Sequence, residues 1–271
     1  MCDTTAVEAS DLIEVDLGPR ARGFFTTRGL RARPVSALGG GAQDRDAESE
    51  EGTSYDGWNL ALHVGDDPQR VHCHRRRLEK LLGLEQGSHL AWMNQIHSAV
   101  VATAQAGEVP TADALVLDSR TGGAPAGCCV LVADCVPVLL ASRDGALTAA
   151  VHAGRRGMLD GVVPATVDSL RRGGVDPADL WAAVGPSICG SCYEVPEEML
   201  ALSAQREPAC ASRTSWGTPG LDVAAGVLAQ LERAGVGHIS AGQWCTYEDP
   251  RFFSYRRDGV TGRLAGIGVP Q

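Results

Sequence analysis

Between Cys128 and His152 the chain reads CCVLVADCVPVLLASRDGALTAAVH, three apolar runs with only short polar breaks between them. Cys128–Ala133, Val136–Ala141 and Ala146–His152 read as strands. Asp144-Gly145 marks a hairpin-type turn between the last two runs. Cys135 follows Val132-Ala133-Asp134, and His152 closes Ala149-Ala150-Val151. A thiol and an imidazole at neighbouring strand ends suit a metal centre or a cysteine–histidine nucleophile. The turn after His152, Ala153-Gly154-Arg155-Arg156-Gly157, combines glycine with two guanidinium groups. Such a turn can hold a phosphate or carboxylate, or simply be a solvated basic turn. It is not a P-loop, because no Gly-Lys-Ser/Thr follows.

Further strands are expected at Phe24–Thr27, Ala114–Leu117, Leu180–Val184, Ile239–Tyr247 and Leu264–Val269. His89–Val101 reads as a strand interrupted by the polar Asn94, Gln95 and His97. Asp66-Asp67-Pro68 starts a helix with proline at an early position. Val71, Leu78, Leu81 and Leu82 then share one face. Gly157–Arg172 reads as one helix, with Pro164 at a kink or in a first turn. Pro196–Gln205 and Asp222–Ala234 are also helical, the second closed by Gly235 and Gly237. Residues 38–57 are Gly-rich and then acidic, with almost nothing apolar to bury, so a flexible insertion is expected there. No repeat or linker divides the chain. The expected fold is a single α/β domain over residues 1–271, a mixed sheet with packed helices.

At 271 residues the chain can bury most of its unfolded surface without staples. Its net charge of −9 excludes a nucleic-acid partner held by a general positive field. A local cationic pocket remains compatible with that balance. No apolar run approaches the ~20 residues of a membrane helix. The segment MCDTTAVEASDLIEVDL lacks the apolar core of a leader. A cytoplasmic protein without a membrane partner is expected. The nine cysteines are an odd number and read as free thiols, ligands or core residues rather than a disulfide framework.

A catalytic zinc site uses three protein ligands and keeps one position open. Cys135 and His152 supply two candidates and His97 a third, too far apart in sequence for a zinc-finger loop. The same residues also suit a metal-free hydrolase with Cys135 as nucleophile and His97 or His152 as base. Histidines on apolar strands can also be hydrogen-bonded core residues. Cys189 and Cys192 form a CxxC preceded by Pro186 and followed by Tyr-Glu-Val-Pro. That setting favours packing in a core or pocket wall over redox work. His72 and His74 flank Cys73, but positions two apart on a helix do not share a face, so a solvated surface is expected. Cys245 and the run Arg251–Arg257 pair aromatics with cations, either to cap a flat ring or to pack at the surface.

Together, the segments FFTTRG, WNLALHVGDDPQRV, NQIHSAVV, ADALVLD, VADCVPVLLA, AVHAGRRG, AVGPSICGSCYEV and CTYEDPRFFSYRRDGVTGRLAG resemble the YfiH/laccase-domain family. Its members are also called purine nucleoside phosphorylase-like or polyphenol oxidase proteins. The segments run from about Phe24 to Gly266. The resemblance implies an α/β sandwich of the YfiH-like type with zinc in a pocket. The family's ligands carry over to His97, Cys135 and His152, which are then both metal-binding and catalytic. Implied activities are phosphorolysis of adenosine, inosine and methylthioadenosine, and adenosine deamination. Arg156 matches the arginine of the family's HAGWRG and is expected to bind phosphate and act in catalysis, with Arg256 as a partner. Asn94, Tyr193 and Glu194 are expected in the substrate pocket. Arg155 stands where the family has tryptophan, Cys189 where glycine is commoner, and the 38–57 insertion is a further departure. The expected partners are a purine nucleoside and phosphate, and the expected state is a monomer or small homo-oligomer. Copper is the alternative ion. The alternative functions are an amide hydrolase editing peptidoglycan precursors, a copper-dependent polyphenol oxidase and a zinc-stabilised binding module. Seven histidines are too few for the usual oxidase copper set.

Overall fold

The three apolar runs all become strands, but they divide between two sheets. The computed structural model describes residues 8–29, 54–84, 87 and 89–271. In chain order, β1 (Leu12–Val15), β2 (Ala21–Thr26), α1 (Pro68–Leu81), β3 (Leu90–Ala91), β4 (Val101–Thr103) and β5 (Ala114–Asp118) come first. The apolar runs follow as β6 (Gly127–Val132), β7 (Val136–Ser142) and β8 (Leu147–Ala153). Then come α2 (Arg155–Asp160), α3 (Val162–Arg172), β9 (Leu180–Val184), α4 (Glu197–Arg206), β10 (Ala211–Arg213) and β11 (Pro219–Leu221). The chain ends with α5 (Val223–Arg233), β12 (His238–Ala241), α6 (Tyr255–Asp258) and β13 (Leu264–Pro270).

One sheet has the order β1-β2-β13-β6-β3, the other β12-β9-β7-β8-β5-β4, and β10 pairs with β11. Both large sheets mix parallel and antiparallel neighbours. Side chains alternate across each strand, and here both faces are covered. Val138 and Leu140 of β7, with Ala149 and Val151 of β8, pack on Val163, Val167, Leu170 and Val227 of α3 and α5. Leu139, Ala141 and Ala150 point the other way and meet Cys128, Val130 and Val132 of β6. Cys129 and Leu131 of β6 face outward onto Trp58, Leu60 and Leu78. The result is a layered sandwich: α1 and its leading loop, the first sheet, the second sheet, then α3 and α5. The expected mixed α/β sandwich is the one observed.

Several elements differ from their sequence reading for local reasons. His89–Val101 is not one strand. β3 joins the first sheet and β4 the second, and the chain between them crosses over the sandwich edge. The Gln95 side chain replaces the missing ladder: its Nε2 donates to the Leu131 carbonyl at 2.7 Å and its Oε1 accepts from the Leu131 N–H at 2.8 Å. Gly157–Arg172 becomes two helices broken at Gly161, which takes a left-handed φ of 90°. Pro164 then lies in the first turn of α3, where its missing N–H costs nothing. The expected strand at Ile239–Tyr247 stops at Ala241. α1 starts as expected, with the Asp67 side chain capping the Gln69 N–H at 2.9 Å. His74 turns inward, its Nδ1 2.8 Å from the Asn59 carbonyl oxygen, so this helix face is not simply solvated. Cys73 is disulfide-bonded, against the expectation of free thiols, whereas the other seven described cysteines are free. The expected insertion at 38–57 lies outside the described residues apart from 54–57. No helix of the described residues is long and apolar enough to cross a membrane.

Leu139, fully buried between the two sheets, is a direct test of this layering. Leu139→Ala is expected to lower unfolding stability by about 2–5 kcal/mol. Leu202→Ala, on the exposed side of α4, should stay within about 0.5 kcal/mol. Urea titration of both variants measures the difference.

Candidate metal centre

His152 lies at the end of β8, opposite Pro137 near the start of β7, so the hairpin register brings it beside Cys135. His97 enters from the crossover between β3 and β4. Its Nε2 lies 3.7 Å from the Cys135 Sγ, and its ring meets that of His152 edge-on with centroids 4.7 Å apart. One ligand atom from each of the three falls within 4.8 Å of the others. The structure thus brings together the three residues nominated from the sequence.

Two backbone positions show how the fold enforces this convergence. Among the described residues, His97 and Asp134 are the non-glycine residues with positive φ, at 59° and 85°. Such conformations cost on the order of 1–3 kcal/mol each and persist only when neighbours hold them. The His97 N–H donates to the Asp113 carboxylate at 2.9 Å. The Asp134 carboxylate accepts from the Thr246 hydroxyl and from the Arg256 N–H, each at 2.6 Å. Held this way, Asp134 turns Cys135 toward the histidines. Gly154 completes the enclosure from below. A Cβ there would lie 2.8 Å from the His97 ring and 2.9 Å from the Cys135 sulfur.

Asp113 is the organising anion. It is fully buried, and its carboxylate accepts from His152 Nδ1 at 2.8 Å, the Ser98 N–H at 2.6 Å and the Ser98 hydroxyl at 2.7 Å. Burial alone would raise its pKa, but these hydrogen bonds outweigh burial and hold the carboxyl well below the usual range. With Nδ1 engaged by Asp113, the His152 Nε2 faces the thiol, the arrangement that orients metal-binding imidazoles. Burial would lower the His152 pKa, but the charge of Cys135 and the bond to Asp113 raise it to about 9. Burial would raise the Cys135 thiol, yet His152 and His97 lower it to about 6. The triad therefore carries a thiolate near neutral pH, the form that ligates metal or attacks carbon.

The three side chains open into a cleft of about 530 Å³ whose walls include Gln95, Arg155, Tyr193, Tyr255, Arg256 and Arg263. Tyr193 and Arg256, expected in the substrate pocket, line this cleft. The Arg256 guanidinium sits 4.8 Å over the Tyr193 ring and donates to the Glu194 carbonyl at 2.9 Å. Asn94, Glu194 and Arg156 are not among the cleft residues. Asn94 bonds Thr111 at 3.2 Å, and only the backbone of Glu194 approaches Arg256. Arg156 is turned outward, with its Nε 3.8 Å from the Asp160 carboxylate. The helical turn of α2 points Arg155 inward instead, where it reaches Tyr193. The residue that departs from the family pattern is thus the one lining the cleft. The sequence also gave no role to Asp113, His63, Gln95 or Arg263. All lie inside recognisable segments, but nothing in their residue types separated them from ordinary surface polar groups. Phe252 and Phe253 are core residues, so the 251–257 run packs inward and offers only Tyr255 and Arg256 to the cleft. The CxxC thiols differ from Cys135: burial and close neighbours raise both Cys189 and Cys192.

In metal-stripped protein, alkylation of Cys135 by iodoacetamide should rise with pH through a midpoint near 6, where an ordinary thiol titrates near 9. Asp113→Asn removes the anion that supports the His152 cation, so the midpoint should move upward. A wild-type midpoint near that of free cysteine would contradict the thiolate assignment.

Residues 43–269 match the model of the family described as multi-copper polyphenol oxidoreductase laccase. A purine nucleoside phosphorylase of Streptomyces coelicolor is 51% identical over 216 residues, spanning 78% of this chain and 87% of that protein. A purine nucleoside phosphorylase of Corynebacterium glutamicum is 44% identical over 218 residues, 79% of this chain and 87% of the relative. The fold is similar to the crystal structure of a Neisseria meningitidis protein, NMB0706, with a TM-score of 0.78, 32% identity and coverage of 96% and 99% of the two chains. It is also similar to YlmD from Geobacillus stearothermophilus, with a TM-score of 0.79, 28% identity and 98% coverage of each chain. A sandwich carrying a His–Cys–His cluster at its edge, matched over most of its length by sequence and by structure, therefore belongs to the YfiH/laccase-domain family.

Proposed function

We propose that this chain is a zinc-dependent purine nucleoside phosphorylase acting on adenosine, inosine and methylthioadenosine, with adenosine deamination as a second activity. The observation that carries this proposal is the sharing of one cleft by a His–Cys–His donor set and three arginines, Arg155, Arg256 and Arg263. In a chain of net charge −9, three guanidinium groups in one cleft mark an anion site. A cleft of about 530 Å³ lies within the ordinary range for small-molecule sites. The names of the relatives point to the same reaction class.

The donor set fits zinc. Two imidazoles and a thiolate leave one tetrahedral position open, Asp113 orients His152 from behind, and Gly154 leaves the space in front of the sulfur clear. Copper also accepts these ligands. Among the described residues, however, no cluster of potential ligands has more than two histidines, which gives multi-copper oxidation no support. Zinc bound at His97, Cys135 and His152 would supply Lewis acidity toward an oxygen nucleophile.

The remaining work falls to the chain's own residues. Arg155 and Arg263, both lining the cleft, hold the phosphate, as guanidinium groups do through paired hydrogen bonds. In phosphorolysis a phosphate oxygen bonds to C1′ of the ribose while the bond from C1′ to the purine nitrogen breaks. The base leaves with that electron pair and takes up a proton. Burial raises the Tyr193 phenol, keeping it a donor at neutral pH, and Arg256 fixes its ring from above. In deamination the reacting atom changes: a water oxygen bonds to C6 of the purine while the exocyclic C6–N bond breaks, and the amino group takes up a proton and leaves as ammonia.

The test is adenine release from adenosine with and without phosphate. Release should require phosphate, fall to background in Cys135→Ala, and show about a 10-fold higher KM for phosphate in Arg155→Ala, equivalent to about 1.4 kcal/mol. Adenine release indifferent to phosphate would overturn the proposal. One observation favours a second reading: a Cys135 Sγ 3.7 Å from His97 Nε2, next to a His152 ring held by Asp113 at 2.8 Å, also describes a cysteine amide hydrolase acting on cell-wall precursors. Amide hydrolysis that survives complete metal removal would select that reading.

A further inference from the structure

The CxxC of the loop after β9 has no part in the cleft chemistry, yet it is not isolated. Cys189, Cys192, Cys245 and Glu248 each offer a ligand atom, and these atoms lie within 4.8 Å of one another. All three cysteines are free thiols. Two tight turns present the groups. The Cys192 and Tyr193 N–H groups both donate to the Cys189 carbonyl at 3.0 Å, curling the first turn. The Asp249 N–H donates to the Cys245 carbonyl at 2.9 Å, which brings Glu248 back beside Cys245. The turns meet where the Thr246 N–H donates to the Ser187 carbonyl at 3.0 Å. Gly190 allows the first turn to sit close, because a Cβ there would be 2.6 Å from the Ser212 hydroxyl.

We propose that Cys189, Cys192, Cys245 and Glu248 form a second, structural zinc site that fastens the loop after β9 to the loop after β12. A C-x₂-C turn with a distant third cysteine is the ligand spacing of closed zinc sites. With Zn–S bonds of about 2.3 Å, tetrahedral sulfurs lie about 3.8 Å apart. The present cluster closes to that size with side-chain shifts of about 1 Å. Three thiolates favour zinc over calcium or magnesium, and a single carboxylate is an accepted fourth ligand. No open position remains, so this ion does no chemistry.

Its effect is mechanical. Ile188 and Tyr193, on the first loop, form part of the cleft wall. Thr246, on the second, holds the Asp134 carboxylate behind Cys135, and the Ile188 N–H holds the Asp134 carbonyl at 3.0 Å. Tying the two loops together therefore fixes the turn that aims the catalytic thiol.

The experiment uses the reduced, full-length chain, stripped of metal and reloaded with zinc chloride or cobalt chloride. Wild type should take up two ions per chain. His97→Ala/His152→Ala should keep one, with the strong sulfur-to-cobalt charge-transfer band of a thiolate-rich site. Cys189→Ser/Cys192→Ser should also keep one, with most of that band lost. Thiol titration of the loaded wild-type chain gives a check that needs no variant, since zinc should shield Cys189, Cys192 and Cys245 together. A wild-type stoichiometry of one, or a His97→Ala/His152→Ala chain that folds but binds no ion, would overturn the proposal.

Discussion

The geometry of the candidate centre depends on one buried carboxylate. Asp113 receives hydrogen bonds from His152, from the His97 N–H and from both donors of Ser98. Its backbone carbonyl also accepts the His152 N–H at 2.7 Å. A buried anion without partners is strongly unfavourable. This one is compensated only when the crossover loop, the start of β5 and the end of β8 stand in their native places. The cost of isolating the charge thus becomes a geometric constraint that both histidines must satisfy. Remove the carboxylate, and the left-handed turn at His97 loses its restraint while the His152 ring loses its orientation.

The positive φ angles at His97 and Asp134 belong to the same logic. A flexible loop could present three ligands in many ways, most of them unproductive. Here two unfavourable backbone conformations are held by hydrogen bonds to neighbouring elements, so the donor set is organised by the fold before anything binds. The loops after β9 and β12 contribute from outside through Asp134. Core, crossover and outer loops therefore converge on a site no larger than a few side chains.

Much of this was legible in the chain itself. The continuous apolar runs read as strands, and they are β6, β7 and β8, which the structure buries on both faces. Polar residues at the ends of such runs have few structural uses, which is why Cys135 and His152 stood out. His97 is a weaker nomination from the residues alone, because nothing local distinguishes a histidine in a crossover loop, and the family motif strengthens it. Arg156 was misplaced for a geometric reason: adjacent positions on a helix lie about 100° apart, and only the start of α2 decides which arginine faces inward. Asp113 was overlooked because its role is made of contacts from residues distant in sequence. The expectation for His89–Val101 failed because strand patterning cannot show that a glutamine side chain stands in for backbone.

That substitution by Gln95 has a dynamic consequence. The Leu131 N–H is protected by a side chain of the loop that carries His97, not by a neighbouring strand. Elsewhere along β6, exchange of amide protons with solvent requires the sheet to open, which draws on the stability of the whole sandwich. At Leu131 it requires only that the crossover loop lift away. The exchange rate of this single amide therefore reports how often the loop bearing His97 detaches from the sheet, and ligand bound to His97 should slow it selectively.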